Sequence, residues 1–334
     1  MPSTGERVIA LLKISKPTFW LIWATPFIYA YLGSARTYDW LVFLPNVAAI
    51  CILEAAVCLH NEYVDRPEDV INQPNRVKLA EMVGYKTLKR LFLGGYAIGL
   101  VYLVVNTVFV NFLLGPIAIT AGFLMLFYNF WIRFKRIPYV AEVVIGAVVF
   151  LDFLAGWVMG GRSPLSVPPV AYLLTYYFFA IAVIKDLPDA AGDAAVGSKT
   201  LYSISSKLRR QGLGAAIYLS PFLLVAIAVY VGVVPTSFLL TLLLMPFAAF
   251  LIYLSGRAQS LYGFISVYQL GFFYCQIFFV VLLSLFFPSP LAYGVGVALV
   301  ALRTLLVVFR FDPRLNEPGL SIPREIASLT RSKN

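Results

Sequence analysis

Ten apolar runs follow one another along this chain, at 18–34, 40–60, 90–109, 112–131, 139–161, 168–185, 212–232, 236–255, 264–287 and 289–309. Each is of the order needed to cross the roughly 30 Å hydrocarbon core of a bilayer. Lipid offers no partner to backbone N–H and C=O groups, so such runs have to satisfy them internally, as helices. The fold class that follows is all-α: a polytopic transmembrane bundle of nine to ten helices, read as a single integral membrane domain over residues 1–334. Only 13% of the 334 residues are charged and 60% are hydrophobic, whereas a soluble domain is about a quarter charged.

The cations give the chain an orientation. Of the 26 Lys and Arg residues, all except Arg36 and Arg162 fall on one set of inter-span segments. By the positive-inside rule the N-terminus, the loops after spans two, four, six and eight, and the C-terminus are expected in the cytoplasm. The net charge of +10 is therefore a topology signal, and no nucleic-acid partner is expected. Residues 1–16 lack an uninterrupted apolar stretch, so no cleavable signal peptide is expected. Cys51, Cys58 and Cys275 lie in apolar runs without ligand-like spacing, as core fillers.

Polar clusters inside such a chain mark either function or contact with water. One follows span two, from His60, Asn61 and Glu62 through Asp65, Glu68 and Asp69 to Asn72, Gln73, Asn75 and Arg76. The other follows span six and carries Lys185, Asp186, Asp189 and Asp193. At an offset of 124 residues Glu62 falls on Asp186, Asp65 on Asp189 and Asp69 on Asp193. The coincidence reads as an internal duplication with two aspartate-rich cytoplasmic motifs. Residues four apart share one helix face, so Asp65 with Asp69, and Asp189 with Asp193, point into one cavity. Carboxylates so close repel unless a cation lies between them. Mg²⁺ suits such oxygen ligands together with a substrate's phosphates. Two facing sets have room for two Mg²⁺ ions and a diphosphate.

At these residues the chain resembles the UbiA superfamily of intramembrane prenyltransferases. Asn61, Asp65 and Asp69 match the family's first motif, Asn-Asp-x-x-Asp-x-x-x-Asp, with Glu62 in place of an aspartate; Asp186, Asp189 and Asp193 match the second in full. Gly197, Lys199, Thr200 and Leu201 are similar to the element that continues the second motif. Tyr128 to Arg133 resembles the element that ends the family's fourth helix, and Lys16-Pro17 stands where relatives carry Arg-Pro. After the first motif relatives often have two arginines and a Pro-Ser-Gly turn; here Arg76 is kept, Gln73 replaces the other arginine, and the turn is absent. Relatives have nine helices, one fewer than the runs counted here.

The resemblance implies Mg²⁺-dependent ionisation of a prenyl diphosphate and transfer of the prenyl group to a lipophilic acceptor dissolved in the bilayer. It implies that Asn61, Asp65, Asp69, Asp186, Asp189 and Asp193 bind metal, and that Arg76, Arg133, Lys185 and Lys199 meet the diphosphate. The alternative for these cations is topology alone. Tyr128 either faces the developing allyl cation or anchors its helix at the interface. Glu54, two turns deeper than Asn61 on one helical face, either serves the acceptor and its proton or stays neutral between helices. Glu142 and Asp152 are further intramembrane acids, and His60 reads as an interfacial residue. A terpene cyclase built on the same metal site and a lipid transporter or binding protein are the competing functions. Gly95-x-x-x-Gly99 and Gly156-x-x-x-Gly160 are spacings that let helices approach closely.

Overall fold

The computed structural model describes residues 2–130, 132–137, 139–182, 184, 187–189, 207–317 and 319–331. Lys185, Asp186, Asp193 and Lys199 lie outside these described residues. The helices run α1 Thr4–Ile14, α2 Pro17–Ser34, α3 Trp40–Val64, α4 Arg66–Asn72, α5 Pro74–Val83, α6 Tyr85–Val105 and α7 Leu114–Asn129. They continue as α8 Val140–Met159, α9 Pro169–Ala182, α10 Lys207–Tyr230, α11 Met245–Arg257, α12 Leu261–Phe286, α13 Pro290–Val308 and α14 Ile322–Thr330. Helix starts follow local chemistry. Proline opens the first turn of α2, α4, α5 and α13, where its missing N–H costs nothing. Asp39, Ser260 and Ser289 accept hydrogen bonds from the first turns of α3, α12 and α13.

Each of the ten apolar runs falls on a helix. Among the described residues, six helical stretches are long and apolar enough to cross a membrane unaided: Trp40–Val64, Tyr85–Val110, Val140–Met159, Thr236–Arg257, Leu261–Phe286 and Pro290–Asn316. The pair α1 and α2, bent by 45° at Lys16, makes a seventh, while α7, α9 and the Gly214–Tyr230 part of α10 are apolar but shorter.

α2 packs against α3, α8, α12 and α13. Phe27 and Tyr29 of α2, Phe153 of α8, Tyr177 of α9, and Phe278 and Phe279 of α12 form the buried centre. Helices already in lipid gain little from the hydrophobic effect on associating, so close packing has to hold them. Both small-residue spacings serve this end. A Cβ on Gly156 would lie 2.3 Å from the Phe27 carbonyl oxygen, and one on Gly160 would lie 1.8 Å from Ser34 Oγ, so α8 approaches α2 backbone to backbone. Gly95 and Gly99 do the same for α6 on α3, against Ala56 and Leu53.

The first motif straddles two joints. α3 ends at Asp65, α4 occupies Arg66–Asn72, and α5 starts after Gln73. The chain does not run as one helix, because Pro67 and Pro74 each interrupt it. The four-residue relation survives all the same: Asp65 N donates to Asn61 O at 2.8 Å, Asp69 N to Asp65 O at 2.9 Å, and Gln73 N to Asp69 O at 2.8 Å. Asn61, Asp65, Asp69 and Gln73 therefore climb one ridge across both breaks.

Candidate active site

A cleft opens at the end of the bundle where α3 gives way to α4. Its inner wall is one stripe of α3, with Glu54, Val57, Cys58 and Asn61 at helical spacing. Phe19 and Trp23 of α2, Met125 and Tyr128 of α7, and Ile145 of α8 complete an apolar and aromatic floor. The mouth is ionic. Asp65, Glu68, Asp69, Asn72 and Arg76 come from the first motif, Asp189 from the second, Lys16 from the α1–α2 joint, and Lys135, Arg136 and Arg314 from other segments. Asp65, Asp69 and Asp189 thus meet at one cleft, as the duplicated motifs lead one to expect.

Carboxylates and cations at the mouth are interleaved. Glu62 lies under the motif, gripped by Nε and Nη2 of Arg76 and approached by Lys16 Nζ at 3.6 Å. Arg76 Nη1 donates to Asp69 Oδ1 at 3.2 Å. Asp65 is bonded by Lys135 and approached by Arg133 at 4.0 Å, and Glu68 is bonded by Arg136. Arg133 has φ 52 and Tyr139 has φ 67. Such left-handed residues are uncommon and cost about 1 kcal/mol or more. Here they bracket the turn that brings Lys135 and Arg136 to the motif. The two motifs also touch directly. Asn72 Nδ2 donates to Asp189 O at 2.8 Å, Gln73 Nε2 to Asp189 Oδ1 at 2.5 Å, and Arg314 Nη2 to Asp189 Oδ2 at 2.6 Å.

This crowding perturbs the acids. Burial lifts the Asp69 carboxyl to about 7; Arg76 opposes the rise, while Glu62, Asp65 and Asp189 add to it. Burial also pushes Asp65 upward, but Lys135, with Arg76 and Arg133, more than offsets it and holds that carboxyl below the usual range. Burial works against the Arg76 charge, and Asp69 and Glu62 restore it, so its affinity for the proton is raised.

The donor set fits a hard divalent cation. Asn61 Oδ1 and Asp69 Oδ2 are buried oxygens without a hydrogen-bond partner, and they belong to residues lining the cleft beside Asp65. Oxygen ligands of this kind are what Mg²⁺ takes. Among the described residues no three His, Cys, Asp or Glu side chains form a group that could hold a metal ion by themselves.

Of the other anticipated residues, Tyr128 and Glu54 line the cleft, both buried. Arg133 stands at its edge, donating to Val64 O at 3.3 Å. His60 is buried between α3 and α6, stacked on Phe92 at 4.5 Å and hydrogen-bonded to Tyr96 at 3.0 Å. Its neighbours along α6 are aromatic, and the sequence position next to the motif gives no hint of that. Glu142 is buried but does not line the cleft. Lys135, Arg136, Gln73, Arg314 and Tyr268 join the site without having been singled out for it. For the first two, the cluster of cations beside Tyr128 was the available signal. Arg314 and Tyr268 sit in no motif.

A model of the UbiA prenyltransferase family matches residues 19–263. A digeranylgeranylglyceryl phosphate synthase from Methanopyrus kandleri is 31% identical over 175 residues, a match that takes in 51% of this chain and 59% of that relative. A UbiA homolog from Archaeoglobus fulgidus bound to DMAPP and Mg²⁺ superposes with a TM-score of 0.58 at 16% identity, over 80% of this chain and 98% of that one. A digeranylgeranylglyceryl phosphate synthase structure gives 0.52 at 17% identity, over 96% and 99%. These structures share the fold, and the family model extends from the start of α2 through the first turn of α12. The chain's long apolar helices make it an integral membrane protein, and it belongs to the UbiA prenyltransferase family.

Proposed function

We propose that the chain transfers a prenyl group from an allylic diphosphate to a lipophilic acceptor, with Mg²⁺, releasing pyrophosphate. One observation carries the reading: carboxylates from two distant segments, Asp65 and Asp69 with Asp189, stand at the ionic mouth of a cleft whose floor is apolar and aromatic. A diphosphate suits the mouth and an isoprenoid tail suits the floor. The Archaeoglobus fulgidus homologs bound to GPP or DMAPP with Mg²⁺ support this donor.

Asn61, Asp65, Asp69 and Asp189 would hold the metal, with Asp186 and Asp193 completing a set for two ions. Mg²⁺ held by these residues would supply the positive charge that neutralises the departing pyrophosphate. As the allylic carbon–oxygen bond breaks, its electron pair leaves with the diphosphate. Arg76, Arg133, Lys185 and Lys199 would meet that charge. The Tyr128 ring, which lines the cleft, would face the allyl cation. The acceptor's nucleophilic atom then bonds the carbon and releases a proton, for which Glu54, on the cleft face of α3, is the nearest deep carboxyl. Under the positive-inside reading the mouth and both termini are cytoplasmic.

The name of the Methanopyrus kandleri relative makes a glyceryl phosphate lipid with a free hydroxyl the first acceptor to assay. The experiment supplies purified protein with Mg²⁺ and allylic diphosphates of ten to forty carbons, with and without acceptor. Pyrophosphate release and lipid mass spectrometry are the readouts. Acceptor-dependent release supports transfer. A hydrocarbon or terpene alcohol formed without acceptor points to a cyclase, and no release from any donor overturns the reading.

A further inference from the structure

Beyond α13 the chain turns back on itself. Arg310 takes a left-handed conformation, φ 56, and a short 3₁₀ turn follows at Pro313–Asn316. Asp312 fixes that turn from both sides: its Oδ1 accepts from Arg314 N at 2.9 Å and its Oδ2 from Gln269 Nε2 of α12 at 2.7 Å. Asn316 donates to the Asp312 and Arg310 carbonyls at 2.9 and 3.1 Å and accepts from Lys13 Nζ at 2.7 Å. Asn75, on the helix that carries Arg76, donates to Glu317 Oε2 at 2.9 Å. Three hydrogen bonds thus pin this segment to α1, α5 and α12, and three more hold its own turn in shape.

What the pinning delivers is Arg314. Its side chain is 5% exposed, yet it lines the cleft. Its guanidinium lies 4.3 Å from the centre of the Tyr268 ring, and Nη2 donates to Asp189. Nε is a buried donor with no hydrogen-bond partner. A guanidinium offers a rigid fork of donors that matches paired phosphate oxygens. To leave part of that fork unused in a buried place is costly, unless a ligand completes it. Arg76 stands close enough for the two guanidiniums to repel one another. Two converging cations, separated by Asp69 and Asp189, suit a ligand with several anionic oxygens better than they suit a fold brace.

The geometry points to Arg314 as a diphosphate-binding residue, brought to the donor site by the turn that follows α13; this rests on the donor class proposed above. Arg314 donates to the phosphate oxygens, and the segment 310–317 is a wall of the active site rather than a tail.

The probe is inorganic pyrophosphate with Mg²⁺, its binding measured calorimetrically on the purified full chain, together with KM and kcat for the prenyl diphosphate. Arg314→Gln raises the pyrophosphate Kd and the KM in parallel by ~10- to 100-fold, the range expected for a lost charged hydrogen bond. Arg314→Lys, which keeps the charge and loses the fork, falls between. Gln73→Arg in the Arg314→Gln background places a guanidinium on the other Asp189 oxygen and recovers part of the affinity. Thermal unfolding of each variant reports folding, and Asn316→Ala, outside the cleft, repeats the affinity loss if the variant at 314 proves unstable. Wild-type Kd and KM in Arg314→Gln, or a loss confined to thermal stability and kcat, overturns the inference. Failure of wild type to bind pyrophosphate overturns it too. Wild-type turnover with an indifferent Arg314 leaves the donor class standing, whereas absence of pyrophosphate release from every donor removes the proposed function itself.

Discussion

Arg76 clamps Glu62 beneath the first motif, with side chains only 5% and 1% exposed. Glu62 belongs to the first motif, and its carboxylate is held by the Arg76 guanidinium and approached by Lys16. Breaking a buried pair from one side leaves the other charge uncompensated, at about 3–5 kcal/mol. Glu62→Gln should therefore lower the thermal midpoint sharply, measured by unfolding in detergent. An unchanged midpoint would show that the pair bears no part of the stability.

Asp65 and Asp189 occupy the two sides of the mouth. Asp65→Ala and Asp189→Ala should each reduce Mg²⁺-dependent pyrophosphate release by ~100-fold or more, because even outer-shell changes at metal sites cost about 10- to 100-fold. Asp189→Asn keeps one acceptor oxygen but removes the charge that faces Arg314, so it should lose thermal stability as well as its metal response. Near-normal turnover in any of the three counts against the shared metal site.

Asp69 gives the pH dependence. Its carboxyl titrates near 7 in the folded chain and near 3.9 when unfolded, so between those values the folded state binds more protons. Stability then falls as pH rises through that window. In EDTA the melting temperature should drop from about pH 5 to about pH 8, and Asp69→Asn should flatten the slope. The Mg²⁺ concentration for half-maximal rate should fall over the same rise in pH, since the ion no longer competes with a proton. Asp65, held below its ordinary range, contributes in the opposite sense, at more acid pH. A flat profile in wild type would remove the titrating role of Asp69.

Helix packing yields a test with its own control. Gly156→Ala forces a methyl to 2.3 Å from the Phe27 oxygen, while a Cβ on Gly94 meets nothing within 4 Å. Overpacking costs about 1–3 kcal/mol. Gly156→Ala should lose thermal stability and Gly94→Ala should not. Equal midpoints would mean that α2 and α8 are not held at this distance.

The bundle was legible because lipid allows so few solutions: each apolar run became a helix, and both glycine spacings became helix contacts. The site was legible where its chemistry repeats at short range. The four-residue interval from Asn61 to Asp69 kept its meaning even across two breaks, since the backbone bonds bridge them. What escaped was pairing across the chain. Nothing near Arg314 names Asp189 as its partner, and nothing near His60 foretells Phe92 and Tyr96. Glu62 was placed in register with Asp186 by its offset, but its extra methylene and a nearby guanidinium decide its partner. Asp186, Asp193, Lys185 and Lys199 fall outside the described residues, so the second motif is represented by Asp189 alone.

The bond from Lys13 to Asn316 has a consequence for biogenesis. It ties α1 to a turn made roughly three hundred residues later, the turn that carries Arg314 to the cleft. Insertion of the helices before it can proceed as they emerge, yet the pocket cannot take its finished form until synthesis has passed Glu317. Any nascent intermediate shorter than that presents Asp189 without the arginine that answers it.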